Sequence, residues 1–514
     1  MQRRRWAPVF RATVGFVLAL IFGVVPALAH AEPATFTISI GNNAPPSSEA
    51  RAGELRYADD DAVRYADLFA RLGPVWLLSK LDAKTARRHP SWQSKSQAPT
   101  LAHLRQAVKQ VAAQVAQAKK RGETAQVLLT FSGHGALSER GEYFLSLSDG
   151  QLTRAMLYDE VLEPLRQARV HLIVDACHAG GVVGVRGAFD HEVDAKTQAV
   201  NGDDRQALVG RYSLERFPNV GALIASTPGQ EAHEWSRIEA GVFTYEVTSA
   251  LLGAADLNRD LRIEYGEVAA FVATANQSLE DPDAAPQLLA RAPRDGALLL
   301  DLTQLSQSLV LTGRADKLGR FYIELGDGQR WLEAHVPPNA RVTLALPLRG
   351  GSFVRAGGME AEIPLTPGGV VRIESLHFVP NQLAARGSVA RALERDLFAS
   401  PFDRDNYRRF AAQSDLPPVA FGAPRPLPPR FTLVPDAPRR NKALPIALTT
   451  GAGAAAITAA ISGYLSYNAY QQFHAEDRQR QATELRSDVV TYRNVALAST
   501  AVALAAGAGA YFTW

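Results

Sequence analysis

The sequence predicts an α/β fold, a mostly parallel sheet flanked by helices, followed by a small all-β module and a C-terminal pair of apolar helices. Three observations carry this. Short apolar runs rich in β-branched residues, such as Gln126-Val-Leu-Leu-Thr-Phe131 and Val170-His-Leu-Ile-Val174, break abruptly into small residues. That is the pattern of interior strands covered on both faces. Between such runs lie helical stripes, for example Leu101, Leu104, Val108, Val111, Val115 and Ala118. From Ser306 to Phe378 the pattern changes to alternating runs separated by Gly and Pro, which reads as a small β-sandwich or barrel.

Taken in order, Met1 to Ala31 has the form of an export signal: Arg3 to Arg5 precede the apolar run Val14 to Leu28, and Ala29-His-Ala31 offers small residues for cleavage. An uncleaved anchor is the alternative, and either way the following domain is expected outside the cytoplasm. Thr35 to Ile40 is the first strand. Tyr57 to Leu72 reads as a helix, with Ala62, Tyr65, Ala66, Phe69 and Leu72 on one face. Three aspartates sit in its first turn, where the helix dipole favours them, and Gly73 stops it. Val75 to Ser79 is the second strand, and Thr100 opens the long helix. Tyr143 to Leu147 is a short strand, Thr153 to Ala168 a helix, Val220 to Ser226 a further strand, and Gly296 to Leu302 the expected last one.

Two strand ends carry the chemistry. One delivers His134 within Ser132-Gly-His-Gly135; the other delivers Cys177, the single cysteine, within Asp175-Ala-Cys-His-Ala-Gly180. Open α/β sheets act on ligands at the carboxyl ends of their strands, so a thiol and an imidazole placed there can converge in one crevice. A thiolate attacks, a neighbouring imidazole activates it and protonates the leaving amine, and backbone N–H groups hold the oxyanion. Gly135 lacks a Cβ, so its N–H can approach a substrate carbonyl alongside that of Cys177. A lone cysteine at a strand end is ordinarily a small buried hydrophobe, and a lone histidine is ordinarily structural. The pair together points to a cysteine-nucleophile site.

These two motifs resemble those of the caspase-like cysteine peptidases, closest to the metacaspase and bacterial caspase-domain branch. The resemblance runs from about Thr35 to Leu302. It implies a caspase-like six-stranded sheet and an endopeptidase with His134 and Cys177 as its dyad. In the metacaspases it further implies cleavage after Arg or Lys, read by an acidic pocket. Asp175, two places before the cysteine, matches one pocket residue, and Asp61 matches the other best. Asp59 or Asp60 fills that role if the register slips. In several relatives the region after the cysteine is cut during maturation. Here Gly180 to Phe217 is glycine-rich and charged, open either to self-processing or to service as an uncut surface loop. Gln230 to Trp235 and Gly241 to Tyr245 resemble the loops that wall the substrate cleft.

Asp256-Leu-Asn-Arg-Asp-Leu-Arg-Ile-Glu-Tyr-Gly-Glu267 is a candidate calcium loop, with Asp256, Asn258, Asp260 and Glu267 at ligand positions. Leu261 departs from the pattern, standing where a glycine permits the sharp turn. The alternative is a metal-free turn between helices. No cofactor is otherwise required.

Residues 379–442 read as a linker region, stiff and extended where eight prolines fall between 417 and 438. Ala443 to Tyr467 and Val495 to Phe512 are uncharged Ala/Gly-rich segments of 25 and 18 residues, read as a membrane hairpin in preference to a soluble helical pair. With 55 basic and 52 acidic residues the chain is nearly neutral and has no basic block interleaved with aromatics, which argues against nucleic acid as a partner. The expected partners are a protein or peptide substrate and a membrane. The competing reading is a membrane-anchored scaffold that uses the same fold only to bind peptide. His134, Gly135 and Cys177 speak against it, since binding alone needs no dyad. No Gly-x-Ser-x-Gly elbow or zincin helix supports another hydrolase class.

Overall fold

The computed structural model describes residues 32–46, 53–138, 142–183, 212–226, 234–279, 287–305, 309–314, 318–347, 351–364, 366–381, 395–434, 451–475 and 479–511. The export signal at 1–31 and most of the charged loop after Cys177 lie outside these residues. In chain order the first part comprises β1 (Ala34–Asn42), α1 (Ala58–Phe69), β2 (Val75–Ser79), α2 (Leu101–Lys120), β3 (Ala125–Gly133), β4 (Gly135–Leu137), β5 (Tyr143–Leu147), β6 (Gly150–Thr153) and β7 (Arg169–Asp175). It continues with α3 (Ala179–Val183), β8 (Val220–Ser226), β9 (Glu234–Trp235), β10 (Ala240–Gly241), α4 (Val242–Ser249), β11 (Arg262–Glu264), α5 (Tyr265–Asn276), β12 (Gln287–Arg291) and β13 (Leu298–Asp301).

Six strands form the central sheet in the order β12-β8-β7-β3-β1-β2. All neighbours are parallel except the edge strand β12, which runs antiparallel to β8. Alternate residues of the inner strands serve opposite faces. Leu128, Ile173 and Leu223 meet Leu68 and Phe69 of α1 and the helices α4 and α5. Val127, Leu129, Phe131, Leu172 and Val174 meet Val108, Val111 and Val115 of α2. Both faces are covered, which is why these strands lack an alternating polar pattern. The expected last strand is corrected: residues 298–301 pair with β11 instead, and the sixth sheet strand is β12. Leu299 and Leu300 are needed in the core beside Leu261 and Ile263, whereas the partly polar β12 suits an edge.

The β-module contains β14 (Leu309–Arg314), β15 (Arg320–Glu324), β16 (Arg330–His335), β17 (Arg341–Leu346), β18 (Phe353–Ala356), β19 (Met359–Glu362), β20 (Gly369–Arg372), β21 (Val379–Pro380) and β22 (Thr432–Leu433). They form two sheets, β17-β14-β20-β22 and β16-β15-β18-β19-β21. Its Trp331, Leu332 and Leu344 belong to the same apolar core as Tyr245 and Phe271 of α4 and α5. The linker expected at 379–442 is likewise corrected, because its described residues dock. They include α6 (Arg404–Ala411), bury Phe398, Phe402 and Tyr407 in that core, and donate β22 to the module.

At the C-terminus, α7 (Gly451–Ala475) and α8 (Gln479–Tyr511) pack side by side, with the Ser466 hydroxyl donating to the Val489 carbonyl at 3.3 Å. Among the described residues no helix is long and apolar enough to cross a membrane. The reading of Ala443 to Tyr467 and Val495 to Phe512 as a spanning hairpin is therefore unsupported, and the part of α8 that precedes the second segment packs on protein. Arg486 reaches buried Glu324 at 2.8 Å and Arg493 reaches Glu360 at 3.3 Å, so this helix spends its charges on the β-module. Arg355, itself buried, holds the same two carboxylates from within the module.

Candidate active site

The site is assembled at the carboxyl ends of β3 and β7. The two strands are paired in register up to Ser132 and Asp175, so the residues just past each strand emerge side by side. His134 follows Gly133, the last residue of β3, and Cys177 comes after β7 and one alanine; both are half-buried. Gly135 backs directly onto the cysteine: a Cβ there would lie 1.9 Å from the Cys177 carbonyl oxygen and 3.3 Å from the Ala176 Cβ. Only glycine permits that approach. The Ser146 N–H donates to the His134 carbonyl at 2.8 Å, which makes Gly135 and Leu145 a pair that exchanges no ladder bonds. The Gly135 N–H is therefore turned away from β5. After the cysteine, His178 takes a left-handed backbone (φ 57°) and lays its ring against Tyr143, centroids 6.2 Å apart. This strained turn holds the thiol-bearing residue at the strand end.

Beside the same strand ends lies a pair of carboxylates, Asp61 and Asp175. Asp61 on α1 accepts the Ser132 hydroxyl at 2.8 Å and the Gly241 N–H at 3.1 and 3.2 Å. Asp175 accepts the N–H and the hydroxyl of Thr244 at 3.2 and 2.9 Å. Gly241 sits against both, since a Cβ on it would lie 2.6 Å from Asp175 Oδ2 and 3.0 Å from Asp61 Oδ2. Burial, and then the charge of Asp175, hold the Asp61 carboxyl well above the usual carboxylate range. Of the three consecutive aspartates only Asp61 serves here. Asp59 accepts from the Asn43 side chain (2.7 Å) and the Asp82 N–H (2.9 Å), while Asp60 lies 3.8 Å from Arg88.

A family model described as the caspase domain matches residues 37–293, half of the chain. The chain belongs to this family of caspase-like cysteine peptidases. Among solved structures, a Geobacter sulfurreducens protein shares 19% identity with it, covering 52% of this chain and 98% of its own, with a TM-score of 0.31. No curated protein matches the chain.

Within the caspase domain, the sequence placed His134, Gly135, Cys177 and Asp175 at strand ends and Asp61 in the first helix; the structure puts the first four at the neighbouring ends of β3 and β7 and sets Asp61 of α1 against Ser132 there. It missed Ser132, Thr244 and Gly241, which hold the carboxylate pair. Ser132 could have been read as inward-facing from its place beside Gly133 and His134. Gly241 carried no local signal, because its partners lie far away in sequence.

In the candidate calcium loop at 256–267, Asp256, Asn258, Asp260 and Glu267 accept hydrogen bonds from the loop's own backbone. Among the described residues no group of three or more His, Cys, Asp or Glu gathers to hold an ion. The carboxylates turn inward instead: Asp256 accepts from the N–H groups of Asp260 (3.0 Å) and Leu261 (3.1 Å), and Glu267 from those of Leu257 and Glu264, both at 3.1 Å. The Asn258 amide donates to the Ala420 carbonyl at 3.0 Å, which ties the loop to the proline-rich segment. Leu261 adopts the left-handed turn (φ 62°) despite its side chain.

Proposed function

We propose that this chain is a cysteine endopeptidase that hydrolyses peptide bonds after arginine or lysine. The single observation that carries the reading is the convergence at one sheet end of two features: a glycine backed onto Cys177, and a buried pair of carboxylates one strand-end deeper. The Cys177 thiolate attacks the scissile carbonyl, and His134 takes the thiol proton and hands it to the leaving amine. The N–H groups of Gly135 and Cys177 hold the oxyanion of the tetrahedral intermediate. The resulting thioester is hydrolysed by a water that His134 deprotonates, which regenerates the thiol. Asp61 and Asp175 receive the guanidinium or ammonium head of the residue before the cut, a charge-assisted contact that neutral side chains cannot make.

The test compares fluorogenic peptides that differ only in the residue before the cut: Arg, Lys, Asp or Leu. Cleavage after Arg or Lys that disappears in Cys177→Ala and in His134→Ala is the expected result. Cleavage after Asp would sink the carboxylate pocket and keep the dyad. No cleavage of any peptide, with Cys177 reacting no faster than a free thiol with iodoacetamide, would favour the binding-only scaffold.

A further inference from the structure

The carboxylate pair does not face solvent: Asp61 is 1% and Asp175 6% exposed, and the backbone of Gly241 occupies the space against both. A basic head group therefore cannot reach them until Gly241 moves. What holds Gly241 is a short segment, residues 234–241, fastened at four points. At its start the Glu234 carboxylate accepts the N–H groups of Arg56 and Tyr57 at the head of α1 (2.8–3.0 Å). At Ile238 its carbonyl accepts from buried Arg64 at 3.3 Å, and the same guanidinium donates to the carbonyls of Arg330 (3.1 Å) and Trp331 (2.8 Å) in the β-module. At Glu239 it is gripped by Lys84 and by Arg88 (2.5 Å), and Arg88 also meets Asp327 of the β-module at 3.1 Å. At its end the Gly241 N–H donates to Asp61.

Glu239 is the weak point of this arrangement. It holds a left-handed backbone (φ 51°), which a residue with a Cβ adopts only when its surroundings impose it. Its two cations stand on a separate post, the short helix Ala83–Arg88, whose N-cap Asp82 accepts from the Lys84 and Thr85 N–H groups. The ion pairs therefore hold a strained residue in place from outside the segment. Losing them would leave the segment held at Glu234 and Ile238 and, nearest the pair, by the hydrogen bonds of Gly241 to Asp61, which a guanidinium can replace with stronger, charged ones.

We propose that residues 234–241 are a latched cap over the Asp61–Asp175 pair, and that Glu239, through Lys84 and Arg88, sets how readily a basic substrate side chain displaces Gly241. This deepens the arginine/lysine reading above and rests on it. Glu239 is a positioning residue: it touches neither the dyad nor the substrate. Breaking the latch helps binding and leaves the chemical step alone.

The test uses the full chain with Glu239→Gln and, as a variant outside the cap, Lys84→Gln. For an arginine peptide, KM falls about 5- to 10-fold in Glu239→Gln and less in Lys84→Gln, with kcat within about twofold of wild type. Iodoacetamide alkylation of Cys177 is unchanged, because the dyad is not latched. Amide hydrogen exchange at 238–244 accelerates about tenfold or more, whereas β3 and β7 are unaffected. A KM that is unchanged or raised, or exchange at 238–244 equal to wild type, overturns the latch. If wild type shows no preference for Arg or Lys, the pocket reading fails on its own and the exchange measurement alone decides the cap.

Discussion

Placing a methyl group on Gly135 is the sharpest probe of the active-site geometry. In Gly135→Ala the new Cβ lies 1.9 Å from the Cys177 carbonyl oxygen, 3.1 Å from its carbonyl carbon and 3.3 Å from the Ala176 Cβ. Ordinary contact begins near 3.4 Å, so β4 and the Cys177 peptide must separate by about 1.5 Å. Neither side can swing aside as a flexible side chain would. Overpacking of this kind typically costs about 1–3 kcal/mol, a melting-temperature loss of roughly 2–10 °C for a domain of this size. The catalytic loss is larger. A displacement of about 1 Å at a reacting group costs on the order of 100-fold, and a lost oxyanion donor costs about as much again. The expected kcat for an arginine peptide is therefore at least about 100-fold below wild type, with KM within a few-fold because the carboxylate pair is held by other residues. Steady-state kinetics and a thermal melt on the same preparation read both numbers. A folded Gly135→Ala with kcat within about threefold of wild type would refute the contact between Gly135 and Cys177, and with it the oxyanion hole.

Two further outcomes concern protons. Burial, and then the charge of Asp175, keep a proton on Asp61 well above the usual range, and a cationic side chain must expel it. KM for an arginine peptide therefore falls as pH rises, and Asp61→Asn loses that slope; a slope equal to wild type in the variant would count against the pocket. Burial, and then Asp260, push Asp256 up to about 7 from 3.8, so the folded state keeps a proton that the unfolded state releases. Its contribution to stability is greatest at low pH and is lost between about pH 4 and pH 7, on the order of 4 kcal/mol. Asp256→Asn should gain melting temperature over wild type as pH rises from 4 to 8, and a constant difference across that range would contradict the linkage. Millimolar calcium should leave the wild-type melt unchanged, and a calcium-dependent rise would restore the loop as a metal site.

Much of the sheet was legible because its strands are buried on both faces, so continuous apolar runs could mean little else. His134 and Cys177 were legible for a different reason: two chemically loaded residues each came just after such a run, at the end where α/β sheets do chemistry. The family resemblance favoured Asp61 over Asp59 and Asp60, a choice the residues alone could not make: consecutive helical residues point about 100° apart, and it is the tertiary contact with Ser132 and Gly241 that sets Asp61 beside Asp175. Proline content misled the linker reading. Extended segments dock as easily as they dangle, and Phe398, Phe402 and Tyr407 were the anchors to weigh. The C-terminal pair was read as a hairpin because its two segments carry no charge, yet alanine and glycine leave them short of the hydropathy a span needs, and the arginines just before the second segment reach Glu324 and Glu360.

The core shared by α4, α5 and the β-module separates ancestry from folding. The family match ends at residue 293, yet Arg64, deep behind the pocket, finds two of its carbonyl acceptors at Arg330 and Trp331. A gene that borrowed only the matched half would keep the fastenings of the cap yet inherit a guanidinium that has lost two of its acceptors. The matched half can thus be lifted out of this chain on paper, while its apolar core runs on into the β-module without a seam.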